Sequence, residues 1–243
     1  MSNVQFRGLC FAVLLSTAAN AVGAVVFDDG GVHAISTALQ DVSIDNSTTA
    51  WLLPGANITA TSGRKSAVAA SNQSAVFVAG GSATGGNLTG GSFTGNAGSG
   101  IRLSNSDGTI AGGSVAGGDK APSGGGSGGG GTAISFYSDF HAGALNIFGG
   151  TFQGGNNFSV DSGAGGGGTA LFFGSELSAG TLNISGGTFQ GGDNFSIDSG
   201  AGGGGTALFA FGGTINISGG EFKGGATSGT ATVVPVGPLY FIM

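Results

Sequence analysis

Thr169-Ala170-Leu171-Phe172-Phe173, continued by Thr181-Leu182-Asn183-Ile184-Ser185 and Gly186-Gly187-Thr188-Phe189, is the stretch from which the rest of the chain can be read. Within each segment the apolar residues fall two apart, so Leu182 and Ile184 face one way while Asn183 and Ser185 face the other. The next copy is Thr206-Ala207-Leu208-Phe209-Ala210, Ile215-Asn216-Ile217-Ser218 and Gly219-Gly220-Glu221-Phe222. The previous copies begin at Thr132, Ser99 and Ser74, and the earliest, Thr49-Ala50-Trp51-Leu52-Leu53 with Asn57-Ile58-Thr59, lacks the third segment. Five apolar pairs keep an offset of five: Leu88/Phe93, Ile110/Val115, Ile147/Phe152, Ile184/Phe189 and Ile217/Phe222.

Three short strands joined by Gly-rich corners make one turn of a coil, and a single turn cannot bury its apolar side alone. Stacking turns gives one continuous core. The reading is an all-β, right-handed parallel β-helix (a solenoid) of about six rungs with Gly-rich inserted loops. A helical alternative fails on 56 glycines in 243 residues and on the missing three-to-four apolar period. Residues 25–48 are expected to form an N-terminal capping rung, 49–225 the repeats, and 226–243 a cap or truncated tail. Val42-Ser43-Ile44-Asp45 recurs as Phe158-Ser159-Val160-Asp161 and Phe195-Ser196-Ile197-Asp198 and reads as an extra strand before three rungs. Gly-rich runs at 122–131, 163–168 and 200–205 lengthen the repeat from 25 to 33 and then 37 residues, and read as flexible loops projecting from one corner. The 37-residue unit that starts at Ala144 is nearly repeated from Thr181, as a tandem duplication would leave it.

Residues 1–24 read as a secretory signal peptide, with Arg7 as the positive flank, an apolar centre from Leu9 to Thr17 and small residues near Ala21 and Ala24. Cys10, the single cysteine, lies inside it, so the exported chain is expected to hold no disulfide. Without Arg7 the balance is 5 basic against 12 acidic residues, a net charge near −7. Such a surface argues against nucleic acid as a partner, and no later segment is apolar enough to span a membrane.

Catalytic chemistry on a β-helix needs acids and bases converging in a groove. His33 and His141 are far apart in sequence, and Asp161 and Asp198 sit at equivalent positions through repetition, so the chain is expected not to be an enzyme. The runner-up is a carbohydrate-active or carbohydrate-binding β-helix, which would need Asp139, Asp161 or Asp198 to converge beside aromatic residues. No cofactor or metal is expected: Gly191-Gly192-Asp193-Asn194-Phe195 departs from the calcium-binding glycine repeat, and no glycine run ends as a phosphate loop does. Asn-x-Ser/Thr occurs at Asn46, Asn57, Asn72, Asn87, Asn157, Asn183, Asn194 and Asn216. Asn57, Asn87, Asn183 and Asn216 read as one repeat position, a stacked ladder or plain solvent-facing residues. Ser and Thr do not pair two apart on every rung, which weakens an ice-binding reading, and Trp51 is expected in the core or an end cap.

The leader, the Val26-Phe27-Asp28-Asp29-Gly30-Gly31 opening and the Leu-Asn-Ile-Ser-Gly-Gly-Thr-Phe units resemble secreted bacterial β-helix repeat proteins. These are the passenger regions of autotransporter-type adhesins and the Gly-rich surface proteins with a C-terminal PEP-type sorting signal. The resemblance is architectural and covers most of the chain after the leader. It implies export to the cell surface or outside the cell, a non-enzymatic surface or matrix role, and an extracellular polysaccharide or a host or cell surface as partner.

Overall fold

A computed structural model describes residues 14–15, 24–89, 95–121, 128–138, 143–158, 165–175, 180–195, 202–228 and 240–242. The chain is all-β, and every strand pairing between coils is parallel. It is a parallel β-helix whose strands stack into three faces. The first holds Ala24–Phe27, residues 42–44, Val68–Ala70, Ile101–Ser104, Ile134–Tyr137, Leu171–Gly174, Leu208–Phe211 and Tyr240–Ile242. The second holds Val32–Ile35, Thr49–Leu52, Ala75–Val78, Asp107–Ile110, Ala144–Ile147, Thr181–Ile184 and Thr214–Ile217, with Leu14–Leu15 paired at its start. The third holds residues 38–40, Asn57–Thr59, Ser82–Thr84, Ser114–Ala116, Thr151–Gln153, Thr188–Gln190 and Glu221–Lys223.

The two-apart pattern puts one file of apolar residues inside each face. On the third, Ile58, Ala83, Val115, Phe152 and Phe189 are buried, and Phe152, Phe189 and Phe222 stack with ring centroids 4.6 and 4.7 Å apart. Opposite them Phe136 and Phe173 stack at 4.9 Å. Each buried ring contributes about 1.5–3 kcal/mol by leaving water, and stacking holds the coils in one register. The corner from the second face to the third turns on a glycine at positive φ: Gly81, Gly113, Gly150, Gly187 and Gly220 run from 80° to 112°. The corner from the first face to the second uses Asn46-Ser47, Asn72-Gln73 and Asn105 in the left-handed region. Asparagine tolerates that conformation better than most residues.

Register in the first half differs from the sequence reading. Thr49–Leu52 and Ala75–Val78 lie on the second face, so the counterparts of Leu171–Gly174 are residues 42–44 and Val68–Ala70. Val78 is followed on the third face by Ala83, whereas Leu88 sits on a separate ladder and Phe93 lies outside the described residues. Residues 24–40 make a complete coil. Residues 42–44 are the first-face strand of the next coil rather than an extra strand. Phe158 and Phe195 occupy a different place, beside the fourth ladder; 159–161 and 196–198 are not among the described residues.

The described glycines of the long runs, Gly203 excepted, pack against neighbouring backbone or side chains rather than project. The chain leaves the third face through Gly-Gly pairs (85–86, 117–118, 154–155, 191–192 and 224–225) and returns through Gly98, Gly131, Gly168 and Gly205. Outgoing and returning passes alternate in one file of backbone bonds. Gly98 donates to Gly86, Gly118 to Gly98, Gly131 to Gly118, Gly155 to Gly131, Gly168 to Gly155, Gly192 to Gly168, Gly205 to Gly192 and Gly225 to Gly205, all at 2.7–2.9 Å. A Cβ on Gly131 would overlap the carbonyl oxygen of Gly98, and one on Gly155 that of Gly118. Only residues without side chains can interleave this closely. Residues 122–127, 163–164 and 200–201 of those runs lie outside the described residues.

Beside this seam runs the fourth ladder, Leu88, Lys120, Asn157 and Asn194. Three of its side chains tie a returning glycine eight residues later. Lys120 Nζ donates to the Gly128 carbonyl at 2.8 Å, Asn157 Nδ2 to Gly165 at 2.8 Å and Asn194 Nδ2 to Gly202 at 2.7 Å. Lys120 is only 5% exposed, and burial lowers its ammonium pKa below the ordinary lysine value.

Candidate functional site

The outward positions of the first face build the candidate site. Because Leu171 and Phe173 point inward, Phe172 and Gly174 must point outward, and the same alternation turns Arg102, Tyr137, Phe209 and Phe211 out. Arg102 lies across Tyr137, its guanidinium carbon 5.4 Å from the ring centroid. Tyr137 leans on Phe172 at 5.1 Å, and Phe172 stacks on Phe209 at 5.6 Å with planes 12° apart. Phe211 stands at 76° to Phe172 and 70° to Phe209. An ideal Cβ on Gly174 would come within 2.8 Å of the Phe211 ring tip, so the ring lies over this glycine and buries it on what is otherwise the outer side. Arg102 is the single formally charged residue on the described strands of this face. No carboxylate of the described residues pairs with it.

Sequence reasoning missed this cluster because its residues were assigned to the repeat as framework. The signal that could have found it is the excess of aromatics at outward positions, where earlier coils carry Ser43, Ala69 and Ser104. Trp51 is a correction of the same kind. It is outward on the second face, 39% exposed and stacked on Phe77 at 4.5 Å, because Ala50 and Leu52 take the inward positions.

Asp139, His141, Asp161 and Asp198 all lie outside the described residues. His33 is at the N-terminal end, its Nε2 2.8 Å from Asp29 Oδ1 and its ring against Phe27. That hydrogen bond and the Gly31 N–H hold the Asp29 carboxyl below its ordinary pKa. The asparagines of the Asn-x-Ser/Thr motifs fall in different places. Asn183 and Asn216 extend a ladder from Asn146 on the second face at 2.8 and 2.9 Å, Asn57 accepts from Ser82 on the third, and Asn87 accepts the Asp119 N–H. Asn157 and Asn194 are buried in the fourth ladder. Asp193 is likewise used within the fold, accepting the Ala226 N–H at 2.7 Å. At the corner after the third face, buried Asp41 accepts from Thr61 N–H, from Thr61 Oγ1 and from Lys65 Nζ. Burial alone would raise the Asp41 carboxyl; these bonds outweigh it and lower the pKa.

Compared with protein-family models, with curated proteins and with solved structures, the chain has no significant match.

Proposed function

We propose that the chain is an exported, non-catalytic β-helix that adheres to an extracellular matrix or cell surface. The observation that carries this reading is the outward cluster of Arg102, Tyr137, Phe172, Phe209 and Phe211, mounted on a sheet whose strands are paired on both sides. Backbone pairing fixes the strands, so the cluster needs little ordering on contact. Preorganised aromatic and arginine side chains are the usual carriers of binding energy. The leader-like N-terminus and the repeat architecture support export and a surface role.

The test is to apply the purified chain to surfaces coated with neutral polysaccharide, acidic polysaccharide or matrix protein, and to follow both retention and ligand chain length. Retention on at least one coating with no change in ligand length is the expected result. Shortened ligand or newly released sugar ends would overturn the reading in favour of a carbohydrate-active enzyme.

A further inference from the structure

We infer that the first-face cluster is a binding site for an acidic polysaccharide, with Phe211 as the sugar platform and Arg102 as the carboxylate contact. This rests on the adhesive reading above and names its partner. Phe172 and Phe209 stack along the rod and therefore present ring edges outward, which carry the positive side of the aromatic quadrupole. Phe211 is nearly perpendicular to both, its ring tip against Gly174, and stays partly exposed, which leaves it as the ring whose face a ligand would use. A flat apolar face of that kind matches the C–H side of a pyranose ring.

Charge selects which polysaccharide. The chain carries a formal net charge of −6, yet this face offers a single cation whose described contact is a tyrosine ring. Arg102 and Phe211 are three strand spacings apart, about 14 Å along the rod, which a short run of sugars spans. A uronate further along a chain seated on Phe211 would meet the guanidinium, which binds carboxylates in bidentate fashion. A peptide partner fits less well. Extended peptides add to open sheet edges, whereas the strands carrying Tyr137, Phe172 and Phe211 are hydrogen-bonded on both sides.

The test uses the intact purified chain on immobilised alginate, a uronate polymer, and on dextran as the neutral control, at ~0.15 M salt. Alginate is expected to retain the chain and dextran to retain it at least tenfold less. Arg102→Gln should weaken alginate binding about tenfold and flatten its salt dependence. Phe211→Leu, which keeps an apolar cover over Gly174 but removes the ring face, should weaken it by a similar factor. Thermal melts of both variants should match the parent. Equal retention on alginate and dextran, or parental alginate binding by both variants, would overturn the inference. Retention on another coating but not on alginate also overturns it and leaves the adhesive reading standing. Cleavage of alginate defeats the adhesive reading itself.

Discussion

Gly155→Ala is the substitution that interrogates the glycine seam most directly. Gly155 has no positive φ, so alanine is not excluded by backbone conformation. The obstacle is space: the new Cβ would overlap the Gly118 carbonyl oxygen and crowd the Gly131 nitrogen, 2.8 Å away. The backbone must shift, which compromises the bond from Gly155 N–H to Gly131 and the bond Gly155 accepts from Gly168, at 2.8 and 2.7 Å. A buried backbone group left without its partner loses about 1–3 kcal/mol. With both bonds strained rather than abolished, the expected destabilisation is about 2–4 kcal/mol. Gly203→Ala is the matched control, since a Cβ there meets nothing within 4 Å. It should be neutral, or stabilising by about 0.4–1 kcal/mol through the unfolded chain. Urea unfolding followed by far-ultraviolet circular dichroism reads both, as a lowered midpoint for Gly155→Ala and an unchanged one for Gly203→Ala. Coincident midpoints for the two variants would refute the packed seam and return these glycines to unconstrained loops.

Lys120→Asn should be tolerated, because it continues the Asn157 and Asn194 ladder, whereas Lys120→Met should destabilise by about 1–3 kcal/mol by stripping the Gly128 carbonyl of its donor; thermal melts compare them. The parent should also gain stability as pH rises from the lowered Lys120 pKa towards the ordinary value of 10.5, since the unfolded chain holds the proton longer, and Lys120→Asn should lose that gain. Phe189→Ala, in the middle of the buried ring stack, should cost about 3–5 kcal/mol. Phe222→Ala, at its partly exposed end, should cost less, and an equal loss would argue against the order of coils given above. Asp41 has a lowered folded pKa, so its contribution is present above the unfolded value near 3.9 and is lost as pH falls through the folded one. Asp41→Asn should therefore flatten the acid limb of a stability–pH curve below about pH 4, and an unchanged limb would show that other groups set it.

From Ile101 onward the coil was readable, because the offset of five between inward residues of the second and third faces survives every insertion: Ile110/Val115, Ile147/Phe152, Ile184/Phe189 and Ile217/Phe222. Before that point the same rule misaligned the chain. Ser74 to Val78 alternates just as Ser99 to Leu103 does, and period-two alternation cannot say which face a strand occupies. The corner residues could have. Asn46-Ser47, Asn72-Gln73 and Asn105 each precede a second-face strand in a left-handed turn, but Asn46 and Asn72 stand out in the sequence only as members of Asn-x-Ser/Thr, and Asn105 belongs to no such motif. The glycines misled for a different reason. A mobile linker and a backbone-packed seam both demand the absence of side chains, so composition alone cannot separate them. The distinguishing pattern was positional: from Ser82–Thr84 onward a Gly-Gly pair follows the third-face strand, and Gly98, Gly131, Gly168 and Gly205 stand shortly before the next first-face strand. The outward aromatic cluster was hidden because apolar residues on both sides of a strand look like one thick core.

The seam also has a mechanical meaning. Its bonds follow one another from coil to coil, from Gly86 to Gly225, so a pull directed across that file meets its bonds side-on. Such a pull loads the file in shear, so neighbouring bonds share the tension instead of parting one at a time. Beside the file, an ammonium or amide bonded to a carbonyl eight residues on adds a further tie at three of its levels. A molecule built this way can be tugged at its corner without its coils being unwound.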